Sequence, residues 1–516
     1  MPAWSEVWYR DIYPHTDLRF YSKGDGTIEY DFILKPGADL DAIRLRLDGI
    51  DTFDIDENGE LVLQTPIGEM RKGAPYTYQV IDGRECEIES AYRVTDDGRL
   101  TFEVAAYDAE HPLIIDPTTL LAGTFFPGDG AKSYVQSVDV DDAGVHIVGA
   151  MSLPLINTTP GVFNPSFSGG GARDAFAATL SHDLTSLFMF TYLSDNLSAT
   201  ANDSWIHATH VKSVGGDLYI AGGQIKSGGA VRTTGGAFQQ FNPRPGACDI
   251  FITVGNNRDR FLVPFVQKIS RDGTTLKYGT YLSGTDAATF EEIEGLEVHN
   301  GLIYVAGITT STDFPTTSNA FSTVWSGSGS AGFLSIIDPT KTNGEDLVYS
   351  TYIHGEDQPG GNTTAKDLKI DPATGDIWIV GGTDEIDFPT SPHAVNRLDN
   401  LQGRTDGILL RFGPLASLGN GAADLQYSTG IGTPGAGEEA QSLALAGGGE
   451  VYVGLFTVPP LDSFPVVGDP YRGVSNSGIN DGYIALVDTV GGQLTASTYI
   501  GSANNPFIIR FTVTDM

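Results

Sequence analysis

A stretch near the N-terminus begins like a calcium-binding loop. In "DIDENGEL" the oxygen-bearing side chains of Asp54, Asp56 and Asn58 stand at alternate positions, and a glycine occupies the sixth. EF-hand loops start to coordinate Ca²⁺ in this way, but Thr65 stands at the twelfth position, where such a loop needs a bidentate glutamate. A hairpin turn uses the same residue types, so the sequence favours a turn and leaves calcium as a hypothesis.

A second acidic run, "DVDDAG", contains Asp139, Asp141 and Asp142. Three carboxylates this close together offer the oxygen ligands that Ca²⁺ prefers. A turn between two strands needs the same side chains, because Asp hydrogen-bonds its own backbone and Gly adopts turn conformations. Both interpretations are kept, and calcium is the one cofactor that the sequence suggests.

Patterns typical of catalysis are weak in this chain. "GSGSAG" (327–332) matches GxGxxG, but it precedes the strand-like "FLSIID" and not a helix. His207 and His210 fall in the alternating "SWIHATHV", where residues three apart are expected to face opposite sides, so a shared metal is not expected. No GxSxG motif occurs, and 65 carboxylates are too many for one glycosidase pair to stand out. No catalytic residue is assigned, and activity is left open.

The elements that would position any site are short strands that recur in a fixed order. The phrase "STDFPTTSNAF" (311–321) returns as "EIDFPTSPHAV" (385–395). It follows a β-branched run such as "DIWIVGG" and precedes a strand such as "DGILLRF" and then a threonine–aromatic strand such as "STYI". The set returns after 75, 83, 74 and 76 residues, counted from Phe163 through Tyr471, which indicates a repeat protein. The aromatic residues at repeat positions are Phe163, Phe238, Phe314, Phe321, Phe388, Tyr192, Tyr281, Tyr352 and Tyr499.

Each repeat offers four strands with turn residues between them and no helical periodicity. Four-stranded units of this length are typical of β-propeller blades, in which neighbouring blades cover both apolar faces of each sheet. The sequence therefore predicts an all-β chain. We expect an N-terminal β-sandwich-like domain over residues 1–117 and a β-propeller over 118–516, with five full repeats and a partial sixth.

The recurring phrase has a structural interpretation. It connects the second and third strands of a repeat, where Phe314 or Phe388 can reach between two blades. Pro315 or Pro389 fixes the backbone and ends ladder pairing, and the hydroxyl residues that follow can bond the backbone groups left free. The phrase is predicted to stabilise the blades and not to act in catalysis.

These ordered phrases resemble the SBBP (β-propeller) repeats of secreted and surface-exposed bacterial proteins. The resemblance spans about residues 118–516 and is plainest in "YSTYIHGED…AKDLKIDPATGDIWIVGGTDEIDFPTSPHAV…TDGILLRF". Residues 1–117, with "LVLQTPIGEMRKGAPYTYQ" and "HPLIIDPTT", are similar to the β-rich domain that commonly precedes SBBP repeats. The resemblance implies a propeller fold and an extracellular or cell-surface location. It implies no reaction, because the function of the family is poorly defined.

The sixth repeat departs from a closed ring. After "STYI" (497–500) only "GSANNPFIIRFTVTDM" follows, which cannot supply the remaining strands of a blade. We expect this chain to be a piece of a longer one. The alternative is five blades whose spare end strands pair with a neighbouring molecule.

The composition excludes some partners. Lys and Arg number 30 against 65 Asp and Glu, and the net charge of −35 opposes binding to nucleic acid or to anionic membrane surfaces. No apolar run approaches the ~18 residues of a membrane-spanning helix. Cys86 and Cys248 lie far apart in different predicted domains, so no disulfide between them is expected.

The leading hypothesis is an extracellular or cell-surface scaffold or adhesion protein without catalytic activity. It would bind glycan or protein through propeller loops rich in hydroxyl and amide groups, or assemble with copies of itself. One alternative is a polysaccharide lyase or hydrolase acting in the propeller funnel, and another is a subunit of a surface layer or extracellular fibre. Several carboxylates converging with a His or Arg at one end of the ring would favour the enzyme.

Overall fold

Antiparallel sheets make up the regular structure of the chain, and no α-helix occurs among the residues that the structure, a computed structural model, describes. These residues are 6–22, 28–45, 52–56, 59–65, 68–81, 84–95, 98–116, 133–154, 156–167, 173–182, 184–195, 205–224, 230–244, 263–286, 290–326, 328–355, 360–395, 405–432, 437–458, 466–468 and 481–500. No helix within these ranges is long and apolar enough to cross a membrane. The chain forms two compact units. The domain boundary predicted at residues 117 and 118 lies outside the described residues.

The N-terminal unit is built from three sheets. Its elements are β1 (Glu6–Tyr13), β2 (Thr16–Ser22), β3 (Ile28–Leu34), a 3₁₀ helix (Leu40–Ala42), β4 (Thr52–Ile55), β5 (Leu61–Thr65), β6 (Gly68–Lys72), β7 (Tyr76–Ile81), β8 (Arg84–Ile88), β9 (Ser90–Val94), β10 (Leu100–Val104) and β11 (Leu113–Asp116). The sheets have the strand orders β1-β2-β3-β11-β7-β8, β4-β5-β6 and β10-β9. Residues of all three sheets, among them Phe32, Leu61 and Phe102, share one buried core, as predicted for a sandwich-like domain.

The second unit contains five four-stranded sheets, which we call blades 1 to 5. Blade 1 consists of β12 (Ser133–Asp141), β13 (Gly144–Met151), β14 (Asp174–Leu180) and β15 (Leu187–Tyr192). A short pair, β16 (Ser194–Asp195) with β19 (Ala230–Val231), accompanies blade 2, which consists of β17 (Ile206–Val214), β18 (Asp217–Gln224), β20 (Val263–Ser270) and β21 (Leu276–Tyr281).

Blades 3 to 5 follow the same plan. They consist of β22 (Glu291–His299), β23 (Leu302–Thr309), β24 (Ala331–Ile337) and β25 (Leu347–Ile353); of β26 (Thr363–Ile370), β27 (Ile377–Thr383), β28 (Asp406–Phe412) and β29 (Leu425–Ile431); and of β30 (Gly437–Gly447), β31 (Glu450–Val458), β32 (Asp481–Asp488) and β33 (Gln493–Ile500). Two 3₁₀ helices, Leu415–Ser417 and Gly421–Asp424, connect β28 to β29.

Consecutive blades pack face to face, with a buried hydrophobic core between each pair. The first strands β12, β17, β22, β26 and β30 contact one another in that order, and we call them the inner strands. Strands β18, β24 and β27 are buried along their whole length, because neighbouring blades cover both of their faces. The second unit is therefore a β-propeller, as predicted. The strand at 497–500, which was expected to begin a partial sixth repeat, is instead part of β33, the last strand of blade 5, and the residues after 500 lie outside the described residues.

A β-bulge in the inner strand explains why the β-branched run on the second strand of a blade contains a glycine. In each described blade the register between the first and second strands shifts by one residue. A Cβ at Gly149, Gly222, Gly307 or Gly381 would collide with a carbonyl oxygen of the inner strand beside this bulge. Only glycine allows the two backbones to approach so closely.

The same bulge corrects one prediction. His207 pairs with Gly223 and His210 pairs with Ala221, because Thr209 is the extra residue of the bulge. These partners are two residues apart on β18, so both histidines lie on the same side of the sheet and not on opposite sides. Within the described ranges they belong to no group of three or more His, Cys, Asp or Glu side chains that could hold a metal ion.

The recurring phrase lies along the outermost strand of its own blade. The Ser391 N–H donates to the carbonyl of Ser428 (2.9 Å), and Ser391 Oγ accepts from the Ser428 N–H (2.9 Å). The other blades contain the same two hydrogen bonds, one between backbones and one to a hydroxyl, at Thr159–Phe190, Thr234–Gly279, Thr317–Ser350 and Val467–Ser497. In the last pair the hydroxyl belongs to Ser497 on the outermost strand and accepts from the Val467 N–H. The phrase thus satisfies edge groups that would otherwise be open to pairing with another chain.

Most aromatic residues of the repeats lie in the cores between blades. Phe314 is 2% exposed and packs against Phe333, with ring centroids 4.5 Å apart, in the core between blades 2 and 3. Phe388 takes the same place in the core between blades 3 and 4. The remaining positions are the partly buried Phe163, Phe238 and Phe321 and the buried Tyr192, Tyr281, Tyr352 and Tyr499.

Candidate functional site

The first acidic run forms a hairpin turn in the N-terminal unit. Strands β4 and β5 are antiparallel partners, and Asp56 Oδ1 accepts from the Glu60 N–H (3.0 Å) in the turn between them. Asp54 lies in β4 and accepts from the Ile55 N–H (2.8 Å). Asn58 lies outside the described residues. Calcium at this run stays a hypothesis.

The second acidic run lies at the turn between β12 and β13, where it contacts blade 2. Asp139 Oδ2 accepts from the Ser213 N–H (2.5 Å). Asp141 Oδ2 lies 2.8 Å from Arg271 Nη2, and Asp142 Oδ1 lies 3.3 Å from Nη1 of the same arginine. Burial raises the pKa of Asp141, but hydrogen bonds, first that of Ser213, lower it overall to about 2. Asp141 and Asp142 therefore form inter-blade ion pairs, and calcium binding here is untested.

Charged side chains of the inner strands also pair across blades. Lys366 Nζ on β26 lies 2.8 Å from Glu294 on β22 and 3.9 Å from Glu439 on β30. Burial lowers the pKa of Lys366, but Glu294 and Glu439 raise it by more, so the pKa lies above its ordinary value. Lys366 is therefore a cation that ties together the inner strands of three blades.

A second set of ion pairs lies further along the inner strands. Glu297 on β22 is 3.0 Å from Lys212 on β17 and 2.6 Å from Lys369 on β26. A glycosidase needs one carboxyl group that donates a proton and a second that is ionised. The carboxylates of Glu294, Glu297 and Glu439 instead form ion pairs with lysines of neighbouring inner strands. Their charges therefore connect blades.

Buried carboxylates at the joints between blades bind the chain that crosses from one blade to the next. Glu291 Oε1 accepts from the Gly284 N–H (3.0 Å) and lies 2.8 Å from Arg244 Nη2 at the joint of blades 2 and 3. Glu385 Oε2 accepts from the Gly355 N–H (2.5 Å) at the joint of blades 3 and 4. Both glycines follow the last strand of a blade, so each carboxylate fixes the start of a connection.

The joint of blades 4 and 5 uses two carboxyl groups that bond to each other. Asp406 begins β28 and Glu438 lies near the start of β30, and they are only 6% and 1% exposed. Burial raises the pKa of Asp406 to about 7, against the lowering effect of the hydrogen bond with Glu438. Asp406 therefore takes up a proton near neutral pH. Sequence reasoning missed these residues among the many carboxylates.

A cavity of about 410 Å³ lies at the joint of blades 3 and 4. This volume falls within the range of small-molecule binding sites. Its lining residues are Phe321, Ser322, His354, Gly355, Pro389, Thr390, Ser391, Pro392, Ala422, Leu425, Gln426 and Ser428. They come from two copies of the recurring phrase, from the connection that follows β25, and from β29 with the turn before it. No single motif encodes the cavity, and sequence analysis did not predict it.

Bonds between the two blades hold the walls of the cavity. The Tyr349 hydroxyl donates to Asp424 Oδ2 (2.9 Å), and the Gly421 N–H donates to the carbonyl of Asn319 (2.8 Å). Asp424 also accepts from the Asn420 N–H (2.8 Å), which fixes the turn that carries Ala422 and Leu425. The cavity is therefore preformed by packing and hydrogen bonds of the propeller itself.

The lining combines neutral polar groups with apolar surface. Ser322 Oγ lies 2.8 Å from His354 Nε2, which is also 3.1 Å from the carbonyl of Val324. Ser428 is 1% exposed, and its Oγ has no hydrogen-bond partner in the described part of the chain. Hydroxyl and amide groups of this kind both donate and accept, and can therefore orient a polar ligand.

The fold and the cavity define a β-propeller protein with an N-terminal β-domain. Residues 1–118 match the model of a family described as a domain of unknown function, DUF7948. No curated protein matches the chain.

Solved structures give low-identity alignments. The phage phi92 endosialidase is 9% identical with a TM-score of 0.27, and the alignment covers 74% of this chain and 51% of that one. The Dos1 propeller is 12% identical with a TM-score of 0.24, with coverage of 57% and 56%. A point mutant of NanB sialidase from Streptococcus pneumoniae is 9% identical with a TM-score of 0.27, with coverage of 88% and 74%. The alignments thus span about half of the first two structures, and none assigns an activity to this chain.

Proposed function

We propose that this chain is an extracellular or cell-surface scaffold or adhesion protein without catalytic activity, and that it binds glycan in the cavity between blades 3 and 4. The observation that carries the proposal is the cavity itself, with the polar side chains of Ser322, Thr390 and Gln426 beside the apolar Phe321 and Leu425. Saccharides present alternating hydroxyl groups and C–H surface, which such a lining complements.

Two further observations support a binding role over a catalytic one. The carboxylates Glu294, Glu297 and Glu439 on the inner strands are engaged by lysines. The acidic turn at Asp141 and Asp142 is paired with Arg271. A funnel hydrolase or lyase would require acid and base groups free to reach a substrate.

The surface location and the assignment of residues 118–516 to SBBP repeats belong to the same proposal. Both rest on the resemblance of the four ordered phrases, and both agree with an acidic coat of net charge −35. Self-assembly into a layer or fibre is the less favoured alternative, because the recurring phrase already pairs with the outermost strand in the five described blades.

The test compares binding to a glycan array by the wild-type chain and two matched variants. Thr390→Trp places an indole in the cavity, while Thr316→Trp makes the same change at the equivalent position of the preceding repeat, outside the cavity. We expect glycan binding by the wild type and by Thr316→Trp, and loss of binding in Thr390→Trp.

Other outcomes separate the alternatives. Release of reducing or unsaturated sugar ends from polysaccharide would support the lyase or hydrolase. Binding that is confined to proteins would move the ligand class from glycan to protein. Binding unaffected by Thr390→Trp would show that the cavity is not the site.

A further inference from the structure

The lining of the cavity between blades 3 and 4 has no permanently charged side chain, and this property determines which saccharides it can accept. None of its lining residues is Lys, Arg, Asp or Glu. His354 is the one titratable residue in the lining, and protein oxygens engage both of its ring nitrogens: Ser322 Oγ and the Val324 carbonyl at Nε2, and the Gly355 carbonyl at Nδ1. The imidazole therefore has no nitrogen free to pair with an anionic ligand.

Carboxylates lie directly behind the lining. Glu385 accepts from the N–H of the lining residue Gly355, and the Asp387 carboxylate is packed against the same glycine. Asp424 stands behind the opposite wall, where it accepts from Tyr349 and Asn420. A ligand carboxylate in the cavity would face like charges and would lose its hydration without a cation to replace it.

The field of the whole protein acts in the same direction. The chain carries a net charge of −35, and a surface of one sign repels ligands of that sign. A neutral hydroxyl ligand meets no such penalty, because Thr390 and Gln426 can each donate and accept hydrogen bonds.

We infer that the cavity is selective for neutral saccharides and rejects sugars that carry a carboxylate, such as uronic and sialic acids. The inference rests on the proposed glycan binding and goes further by naming the ligand class. Phe321, Pro389, Pro392 and Leu425 would pack against the C–H face of a sugar ring, while the hydroxyl and amide groups bond its edge.

The experiment is calorimetric titration of the full chain with matched neutral and anionic probes. The pairs are galactotriose with trigalacturonate, which differ by their carboxylate groups, and lactose with sialyllactose, which differ by one carboxylate-bearing sugar. We expect at least one neutral probe to bind about tenfold or more tightly than its anionic partner. We also expect its affinity to change by less than about twofold between about 50 and 500 mM salt, because no ion pair is formed.

Two variants test the mechanism. Gln426 is exposed at the cavity, so Gln426→Lys should raise the affinity for the anionic probe and narrow the preference. Gln240→Ala, in an exposed position of the blade 2 phrase, is the control and should change neither affinity. Thr390→Trp should abolish binding of the neutral probe.

The outcomes distinguish the inference from the function on which it rests. An anionic probe that binds as tightly as its neutral partner, with binding lost in Thr390→Trp, overturns the selectivity and leaves the glycan site standing. Failure of all four probes to bind contradicts both.

Discussion

The carboxyl pair between blades 4 and 5 makes the stability of the propeller depend on pH. Burial raises the pKa of Asp406 from 3.8 to about 7. The folded state therefore holds its proton more tightly than the unfolded chain. This contribution is fully present below about pH 4 and is lost as the pH rises through 7. A difference of about three pKa units corresponds to about 4 kcal/mol in total, at about 1.4 kcal/mol per unit.

Asp406→Asn removes the titration and keeps a side-chain oxygen that can accept the hydrogen bond of Glu438. The Asn side chain imitates the protonated carboxyl group and does not titrate. The unfolding free energy of the variant should therefore increase relative to that of the wild type as the pH rises. We expect the difference in unfolding free energy, variant minus wild type, to increase by about 2–3 kcal/mol between pH 5 and pH 8. The buried Trp378, in the core between blades 4 and 5, reports urea unfolding by fluorescence.

Glu345→Gln controls for the change in net charge, because it removes one carboxylate from an exposed loop of blade 3. Parallel pH profiles of Asp406→Asn and the wild type would refute the reasoning. They would mean that Asp406 does not hold its proton near neutral pH, and that the joint is stabilised by other contacts.

Three further substitutions test the contacts between blades. Phe388→Ala should lower the unfolding free energy by about 3–5 kcal/mol, since it opens a cavity in the core between blades 3 and 4; Ile386→Ala, at an exposed position, is its control in urea titration. Tyr349→Phe should cost about 1–3 kcal/mol by removing the one side-chain hydroxyl that donates to the buried Asp424 carboxylate, which keeps the Gly419 and Asn420 N–H groups, as measured by the urea midpoint. Arg244→Met should cost about 3–5 kcal/mol at pH 7, because Glu291 loses its buried partner. That loss should shrink in acid, where Glu291 is protonated, since burial raises its pKa.

The repeats allowed the blades to be predicted because each strand carries its own local pattern. A β-branched run flanked by turns forms a strand in every repeat, and the phrase at 311–321 and 385–395 occupies the same place in blades 3 and 4. The glycine of the β-branched phrase was visible in the sequence, but its cause was not. The cause is the bulge on the opposite strand, which also invalidated the alternation argument for His207 and His210.

The residues at the joints could not be predicted because no fixed spacing links them. Glu291 begins an inner strand, Glu385 follows a second strand, and Asp406 begins a third strand, although all three lie at joints between blades. The cavity has the same origin, since Phe321 and Ser428 are brought together only by the packing of two blades. Such sites arise from tertiary structure, and a periodic sequence hides them because every repeat looks alike.

The most direct test of the proposed glycan site is a crystal structure of the protein with the tightest-binding neutral oligosaccharide. The proposal predicts a sugar ring in the cavity between blades 3 and 4, packed on Phe321 or Pro392 and hydrogen-bonded to Thr390 or Gln426. A sugar bound instead at the inner strands, near Lys366 and Glu439, would contradict it and would favour the funnel enzyme.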